Sequence, residues 1–150
     1  AVAKNDYSHR MLASQLKDHT MARTYEAIVC GTFREDSGTI DAPIGRHPSD
    51  RKKMCVTQRN SKEAVTHWEV ISRYRGYTHV RCKLETGRTH QIRVQFASRN
   101  MPLVGDKKYG RGEDCDIALW SHKLSFLHPE TSEQLEFSAE PPDQYPWNLF

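Results

Sequence analysis

The segment Leu84–Gly110 concentrates the polar side chains best suited to chemistry. A strand is expected to end there, Gly87 to make a turn, and a helix to open with several polar residues: Arg88, Thr89, His90, Gln91 and Arg93. Polar groups at a strand-to-helix junction can point into a cleft, and the free amides of a helix N-terminus favour anions. This composition suits a phosphate or carboxylate partner. A capped helix with solvent-facing arginines explains the pattern equally well, so the residue types alone leave both interpretations open.

Positive charge is concentrated in a second segment, residues 46–53, which we call the basic loop. Its cations outnumber the single carboxylate, Asp50, and give it a net charge of +3 (4 minus 1): Arg46, Arg51, Lys52 and Lys53. No Lys or Arg follows Lys123, so residues 1–123 carry +8 (22 minus 14) although the whole chain carries only +3. Such a loop can contact several phosphates of a nucleic acid, and each contact adds salt-sensitive affinity. A solvated loop is the simpler interpretation of the charge run taken alone.

The histidines and cysteines do not have the spacing of metal ligands. None of the histidines lies in an HExxH motif or at a paired ligand spacing, and the four cysteines, at least 25 positions apart, form no CxxC pair: Cys30, Cys55, Cys82 and Cys115. We therefore expect no metal site and free thiols in a reducing compartment, which favours a cytoplasmic location.

Length and composition favour one soluble globular domain. The chain has 150 residues, of which 37% are hydrophobic and 27% charged with nearly balanced sign. This length is enough to bury a core, and the aromatic content argues against disorder. Neither an apolar run of membrane-spanning length nor a signal peptide is visible in the sequence.

The hydrophobic periodicity predicts an α+β fold, mostly an antiparallel sheet with a few packed helices. Residues 6–17 place Tyr7, Met11, Leu12 and Leu16 at helical spacing, with Asn5 or Asp6 available as the N-cap, and residues 88–98 again show helical spacing. Alternating segments predict strands, two of them joined by a tight Arg75-Gly76 turn: residues 23–31, 63–74, 77–85, 121–129 and 134–142.

The order of these segments resembles a known family. ETGRTHQIRVQFAS followed by PLVGDKKYG strongly resembles the RluA-type RNA pseudouridine synthases, whose pattern runs GRTHQIRVH, a small gap, then GD and YG. Upstream, ARTYEAIVCG resembles the family's K-T-Y strand and TIDAPIGRHPSDRKKM its basic loop, and downstream HKLSFLHPETSEQLEF resembles its closing hairpin. The resemblance covers nearly the whole chain and is therefore far more specific than a match to GRTH alone would be.

This resemblance implies an isomerase that acts on RNA, rRNA or tRNA, as a monomer and without a metal or cofactor. Such an enzyme detaches uracil from its ribose, turns it and rejoins it through carbon five, which requires the base to leave the stack. The family's tyrosine falls on Tyr25, where it would stack on the flipped uracil, although a strand tyrosine is more often core. Its motif arginine falls on Arg93, which would pair with the catalytic carboxylate and keep it ionised. Ile92 would form apolar pocket wall, and Arg88 and His90 would face RNA phosphate or ribose.

One motif of the family has no counterpart in the sequence. The nucleophilic aspartate lies in a stretch H-R-L-D-x-x-T-S-G just before the segment that matches residues 1–4, and none of the nine aspartates has that context. Asp106 is expected to hold a turn. We therefore expect residues 1–150 to be the C-terminal portion of one catalytic domain, without its first strands and nucleophile, and to be inactive alone. The alternative is a non-catalytic RNA-binding module on the same scaffold.

Overall fold

The computed structural model describes residues 1–18 and 21–150 and contains nine strands and two α-helices within them. The strands are β1 Ala22–Cys30, β2 Ser37–Asp41, β3 Ile44–Arg46, β4 Met54–Val56, β5 Ser61–Lys62, β6 Val65–Tyr74, β7 Tyr77–Leu84, β8 Leu119–Leu127 and β9 Gln134–Ser138; the helices are α1 Asp6–Lys17 and α2 Gln91–Ser98, with a short 3₁₀ helix at Trp147–Leu149. Six strands form an antiparallel sheet in the order β2-β6-β7-β1-β8-β9, and β4-β3-β5 form a small second sheet. The expected α+β architecture is confirmed.

The central strands follow directly from the alternation in the sequence. Ala27 and Val29 of β1 belong to one buried cluster, whereas their neighbour Ile28 belongs to another, because successive side chains of a strand point to opposite faces. The β6–β7 hairpin turns at Arg75 and Gly76, both with positive φ (45° and 83°). Such a turn matches the right-handed twist of the strands that it joins.

Helix α1 has the predicted bounds but a different buried residue. Of the two N-cap candidates it is Asn5 that caps the helix, because its side chain accepts a hydrogen bond from the Ser8 amide at 2.8 Å. The apolar residues are largely outside: Tyr7 is 48% exposed and Leu16 42%. The buried residue is Gln15, whose side-chain amide exchanges two hydrogen bonds with the backbone of β8.

Helix α2 begins three residues later than its periodicity predicts. His90 adopts a left-handed conformation (φ 56°), so Arg88–His90 form a turn and the helix starts at Gln91. One face of α2 then packs on the six-stranded sheet, with Ile92 and Phe96 in the main core cluster. The helix is followed by Asn100, which takes a left-handed conformation (φ 59°) that asparagine tolerates better than most residues. No helix in the described part of the chain has the length and apolarity to cross a membrane.

Candidate active site

Arg93 is held by a buried carboxylate. Its Nε and Nη2 each donate a 2.9 Å hydrogen bond to one oxygen of Asp106, which is 1% exposed. Asp106 Oδ1 also accepts from the backbone amides of Lys108 and Tyr109, both at 3.0 Å. Asp106 therefore holds the turn as expected, and it also fixes the plane of the Arg93 guanidinium by a bidentate contact.

The charge of this pair is stabilised by its surroundings. Burial alone would raise the pKa of the Asp106 carboxyl, but the Arg93 guanidinium and the Tyr109 and Lys108 amides outweigh burial, so the pKa lies below its ordinary value. The Arg93 side chain remains 21% exposed, and its Nη1 forms no hydrogen bond with any part of the chain that the structure describes. One edge of the guanidinium is thus anchored, whereas the other is available to a further partner.

Tyr109 connects this pair to the turn before α2. Its ring lies under the Arg93 guanidinium, with 5.1 Å between Cζ and the ring centroid. Its hydroxyl oxygen accepts from the Met54 amide at 3.0 Å and lies 2.8 Å from His90 Nδ1. Because burial first, and then the nearby Arg93 and Lys108, lower the pKa of His90, the imidazole is neutral at pH 7 and Nδ1 can accept the tyrosine proton.

The basic loop is fastened to the same segment. It joins β3 to β4, and its backbone closes by hydrogen bonds between His47 and Lys53 (3.0 Å) and between Lys53 and Asp50 (2.9 Å). The Lys108 ammonium donates to the Lys52 carbonyl at 2.9 Å, which ties the loop to the Asp106 turn. The structure thus brings the two segments that the sequence singled out into direct contact.

Two of the four cations of the basic loop line an open groove. Arg46, Arg51 and Arg59 face a groove of about 620 Å³, and Arg46 Nη1 donates to the Arg51 carbonyl at 2.9 Å. Arg51 and Lys52 are exposed and Lys53 is half-buried. Arg59, which the sequence analysis did not single out, joins the set because β4 and β5 fold back beside the loop.

Tyr25 lies in the middle of β1, paired with Cys82 of β7 and Ser121 of β8. Its half-buried side chain packs against the main core cluster, as the core interpretation expected, and also lines a separate cleft of about 410 Å³ below α1. Ile92 is buried in that same core cluster. The Tyr25 cleft and the basic-loop groove share no lining residue, and neither is lined by Arg93 or His90.

The turn before α2 is organised by a glutamine that sequence reasoning left without a role. Gln91 Oε1 accepts from the Thr86 hydroxyl (2.8 Å) and the Arg88 amide (3.0 Å), while Nε2 donates to the carbonyl of Val65 and the hydroxyl of Thr66. The Arg88 guanidinium Nε donates to the Glu63 carbonyl at 2.7 Å. The GRTHQ segment is therefore pinned to β6, which holds Arg88 and His90 at the surface.

A second charged cluster lies on the opposite face of the sheet from Tyr25. The buried Glu26 carboxylate lies 3.0 Å from His79 Nε2 and 3.1 Å from His122 Nδ1, and Glu26, His122 and Glu140 offer ligand atoms within 4.8 Å of one another. However, His122 Nδ1 also lies 2.9 Å from the Ala139 carbonyl oxygen. Since a carbonyl only accepts, this nitrogen carries a proton and donates to Ala139, so it is not available as a metal ligand.

Comparison with known proteins identifies the class to which this fold and site belong. Residues 1–98 match the family model described as RNA pseudouridylate synthase. The RNA pseudouridine synthase YlyB of Bacillus subtilis is 50% identical over 145 residues, covering 95% of this chain and 48% of the relative. Ribosomal large subunit pseudouridine synthase D of Pseudomonas aeruginosa is 41% identical over 164 residues, covering 99% and 51%. The solved structure of human RNA pseudouridylate synthase domain containing 1 matches with a TM-score of 0.83 at 26% identity, covering 95% of this chain and 64% of that one.

The chain belongs to the RNA pseudouridylate synthase family, as its motifs predicted, and the family's enzymes are isomerases. It spans about half the length of the curated relatives that it matches.

Proposed function

We propose that residues 1–150 provide the arginine and tyrosine side of the active site of an RNA pseudouridine synthase. The observation that carries this proposal is the Arg93–Asp106 pair. Asp106 occupies two of the five guanidinium donors of Arg93 and leaves Nη1 free for a second anion. In this proposal the second anion is the nucleophilic carboxylate, which comes from outside these 150 residues.

Arg93 acts in this mechanism by keeping that carboxylate ionised and oriented. An adjacent guanidinium favours the charged form of a carboxylate, and a preformed orientation costs no reorganisation during the reaction. Because Asp106 is buried and already ionised, Arg93 is fixed before substrate binds. The reaction breaks the bond between ribose C1′ and uracil N1 and forms the bond between C1′ and C5. The proton on C5 is lost and N1 gains one, so the atoms balance without a cofactor.

Tyr25 is proposed to hold the uracil while it is detached. Its ring reaches the cleft below α1, and stacking of a base on an aromatic side chain contributes roughly 1–3 kcal/mol. Such a contribution is comparable to the few kcal/mol that unstacking a base costs. The half-buried position of Tyr25 suits this role because its packing against the core limits the ring to one orientation.

The RNA backbone is proposed to follow the basic loop. Arg46, Arg51, Lys52 and Lys53, together with Arg88 and His90, supply contacts to phosphate and ribose. The tether from Lys108 to Lys52 supports this arrangement because it holds the loop next to the Arg93 turn. We infer a structured rRNA or tRNA as substrate, which is in keeping with the Pseudomonas relative's name as a synthase of the large ribosomal subunit.

Two proteins should be compared to test this proposal. The reading frame upstream of Ala1 is sequenced, and both its full product and residues 1–150 are incubated with transcripts whose uridines carry tritium at C5. We expect the full product to release tritium and to contain an Arg-Leu-Asp followed by Thr-Ser-Gly, and residues 1–150 to bind RNA without release. Tritium release by residues 1–150 alone would show that the nucleophile lies within these residues and would refute the proposal.

A non-catalytic RNA-binding module on this scaffold is the second candidate, favoured by the net charge of +3 in the basic loop. It predicts RNA binding that weakens with salt and with neutralisation of Arg51, Lys52 and Lys53, and no tritium release from either protein. Binding that is unchanged between roughly 50 and 200 mM salt would rule it out, because phosphate contacts release counterions.

A further inference from the structure

Arg23 is a partly buried cation without a carboxylate partner in the described part of the chain. It lies on β1 two residues before Tyr25, and alternate residues of a strand point to the same face. Its Nε is shielded from solvent, yet no hydrogen-bond acceptor reaches it from residues 1–18 or 21–150. A buried donor without an acceptor costs about 1–3 kcal/mol, and more when it is charged. An anion bound to this guanidinium would remove that cost.

Gly87 makes room for this guanidinium. A Cβ on Gly87 would collide with the guanidinium of Arg23, so any side chain at this position would displace Arg23. The glycine is not required here by its backbone, because its φ lies outside the left-handed region that favours glycine. The glycine of the GRTHQ segment therefore keeps a place for Arg23.

The two residues open onto a notch of about 340 Å³ with an excess of positive charge. Three cations line this notch, Lys17, Arg23 and Arg88, against a single carboxylate, Glu85. The Glu85 carboxylate faces His67 instead, at 3.2 Å. The Arg88 Nε donates to a backbone carbonyl, and its terminal nitrogens have no partner among the described residues. We call these three cations with Gly87 the Arg23 notch.

We propose that the Arg23 notch binds one phosphate of the RNA, next to the uridine that stacks on Tyr25. This inference rests on the proposed function and adds to it a specific anchor for the flipped nucleotide. Arg23 lines both the notch and the Tyr25 cleft, and two residues along a strand span roughly 7 Å, so base and phosphate sites lie within the reach of one nucleotide. A guanidinium can hold two oxygens of one phosphate, which fixes the nucleotide's orientation as well as its position.

The binding test uses residues 1–150 labelled with ¹⁵N and two small probes, uridine and uridine monophosphate. We expect the monophosphate to shift the amides of Thr86 and Gly87 and uridine to leave them in place. Arg23→Gln should raise the dissociation constant of the monophosphate about tenfold, the loss of roughly one charged contact. Gly87→Ala should have the same effect with every charge retained, and the exposed Arg99→Gln should have none. Thermal melts of each variant confirm that it is folded.

Two results would overturn this proposal. The first is equal binding of the monophosphate by the wild type and by Arg23→Gln. The second is a result with the full reading-frame product, in which Arg23→Gln lowers kcat but leaves KM and the salt dependence of RNA binding unchanged. That result would show that Arg23 faces a protein carboxylate instead of a phosphate. These two results contradict only the phosphate site at the Arg23 notch. The proposed function itself is contradicted if the wild-type full reading-frame product releases no tritium.

Discussion

The substitution Asp106→Asn isolates the charge on which the position of Arg93 depends. Asparagine has nearly the shape of aspartate, and its carbonyl oxygen can still accept from the amides of Lys108 and Tyr109. Its NH₂ group, however, would face a donor of Arg93, so one hydrogen bond and the ion pair are lost together. The variant therefore keeps the turn and leaves the guanidinium with one neutral hydrogen bond in place of a charged, bidentate contact.

The expected loss of stability follows from the burial of both partners. Removing one partner of a buried pair costs roughly 3–5 kcal/mol, and a hydrogen bond to a charged group contributes roughly 1.5–3 kcal/mol. Asp106 is fully buried, but water reaches the Arg93 side chain, which is 21% exposed and regains part of its solvation. We therefore expect a loss of about 2–3 kcal/mol, which lowers the Tm of a domain of this size by roughly 4–12 °C.

The pH dependence identifies the cause of this loss. Because the folded-state pKa of Asp106 lies below its unfolded value, its contribution is present above that value and is lost as pH falls through the folded pKa. The difference between the wild type and Asp106→Asn should thus be full at pH 7 and should narrow below about pH 4. Thermal and urea unfolding measure it, with the exposed Asp143→Asn as the matched control. If both variants melt together at pH 7, Asp106 does not hold Arg93 by charge.

Three further predictions concern the supports of the site. Tyr109→Phe removes the hydroxyl between His90 and the Met54 amide, so we expect a loss of roughly 1–2 kcal/mol and faster hydrogen exchange at Met54; unchanged exchange would contradict the tether. Because the folded-state pKa of His90 is lowered, the stabilising contribution of this histidine is present above about pH 6.5 and is lost on acidification. Between pH 7.5 and 5.5 the Tm should therefore fall less steeply in His90→Gln than in the wild type. Gln15→Leu leaves the Leu127 amide and carbonyl without their partner and should lower the free energy of unfolding in urea by about 2–3 kcal/mol. A more stable variant would show that burying the leucine outweighs the loss of these hydrogen bonds.

Local features of the fold could be predicted because their causes are local. The bounds of α1 follow from an N-cap three residues from its partner, and β6 and β7 follow from alternation and a positive-φ turn. The burial of Gln15 was not predictable, because its partners belong to Leu127, 112 positions away. The start of α2 was missed for a related reason: the side chain of the left-handed His90 contacts Tyr109, which lies 19 positions further along the chain.

In the site, too, the sequence predicted which residues matter but not which residues contact each other. The resemblance implied that Arg93 would pair with the catalytic carboxylate, and Asp106 was expected only to hold a turn. The structure shows instead that Asp106 itself binds Arg93 while it holds the turn. This contact depends on how α2 packs against the loop after it, which spacing does not specify. Arg23 stands at the basic position of the family's K-T-Y strand, but the sequence does not show the space that Gly87 leaves for its guanidinium.

The most direct measurement of the central claim is tritium release by the full reading-frame product with Arg93→Ala, beside Arg99→Ala, which changes an exposed arginine at the other end of the same helix. Loss of a preorganised electrostatic group in an active site typically lowers the rate by about 10²–10³-fold. We predict a loss of this size for Arg93→Ala, with RNA binding largely retained, and no change for Arg99→Ala. Full tritium release by a folded Arg93→Ala variant would contradict the role of Arg93 in the reaction.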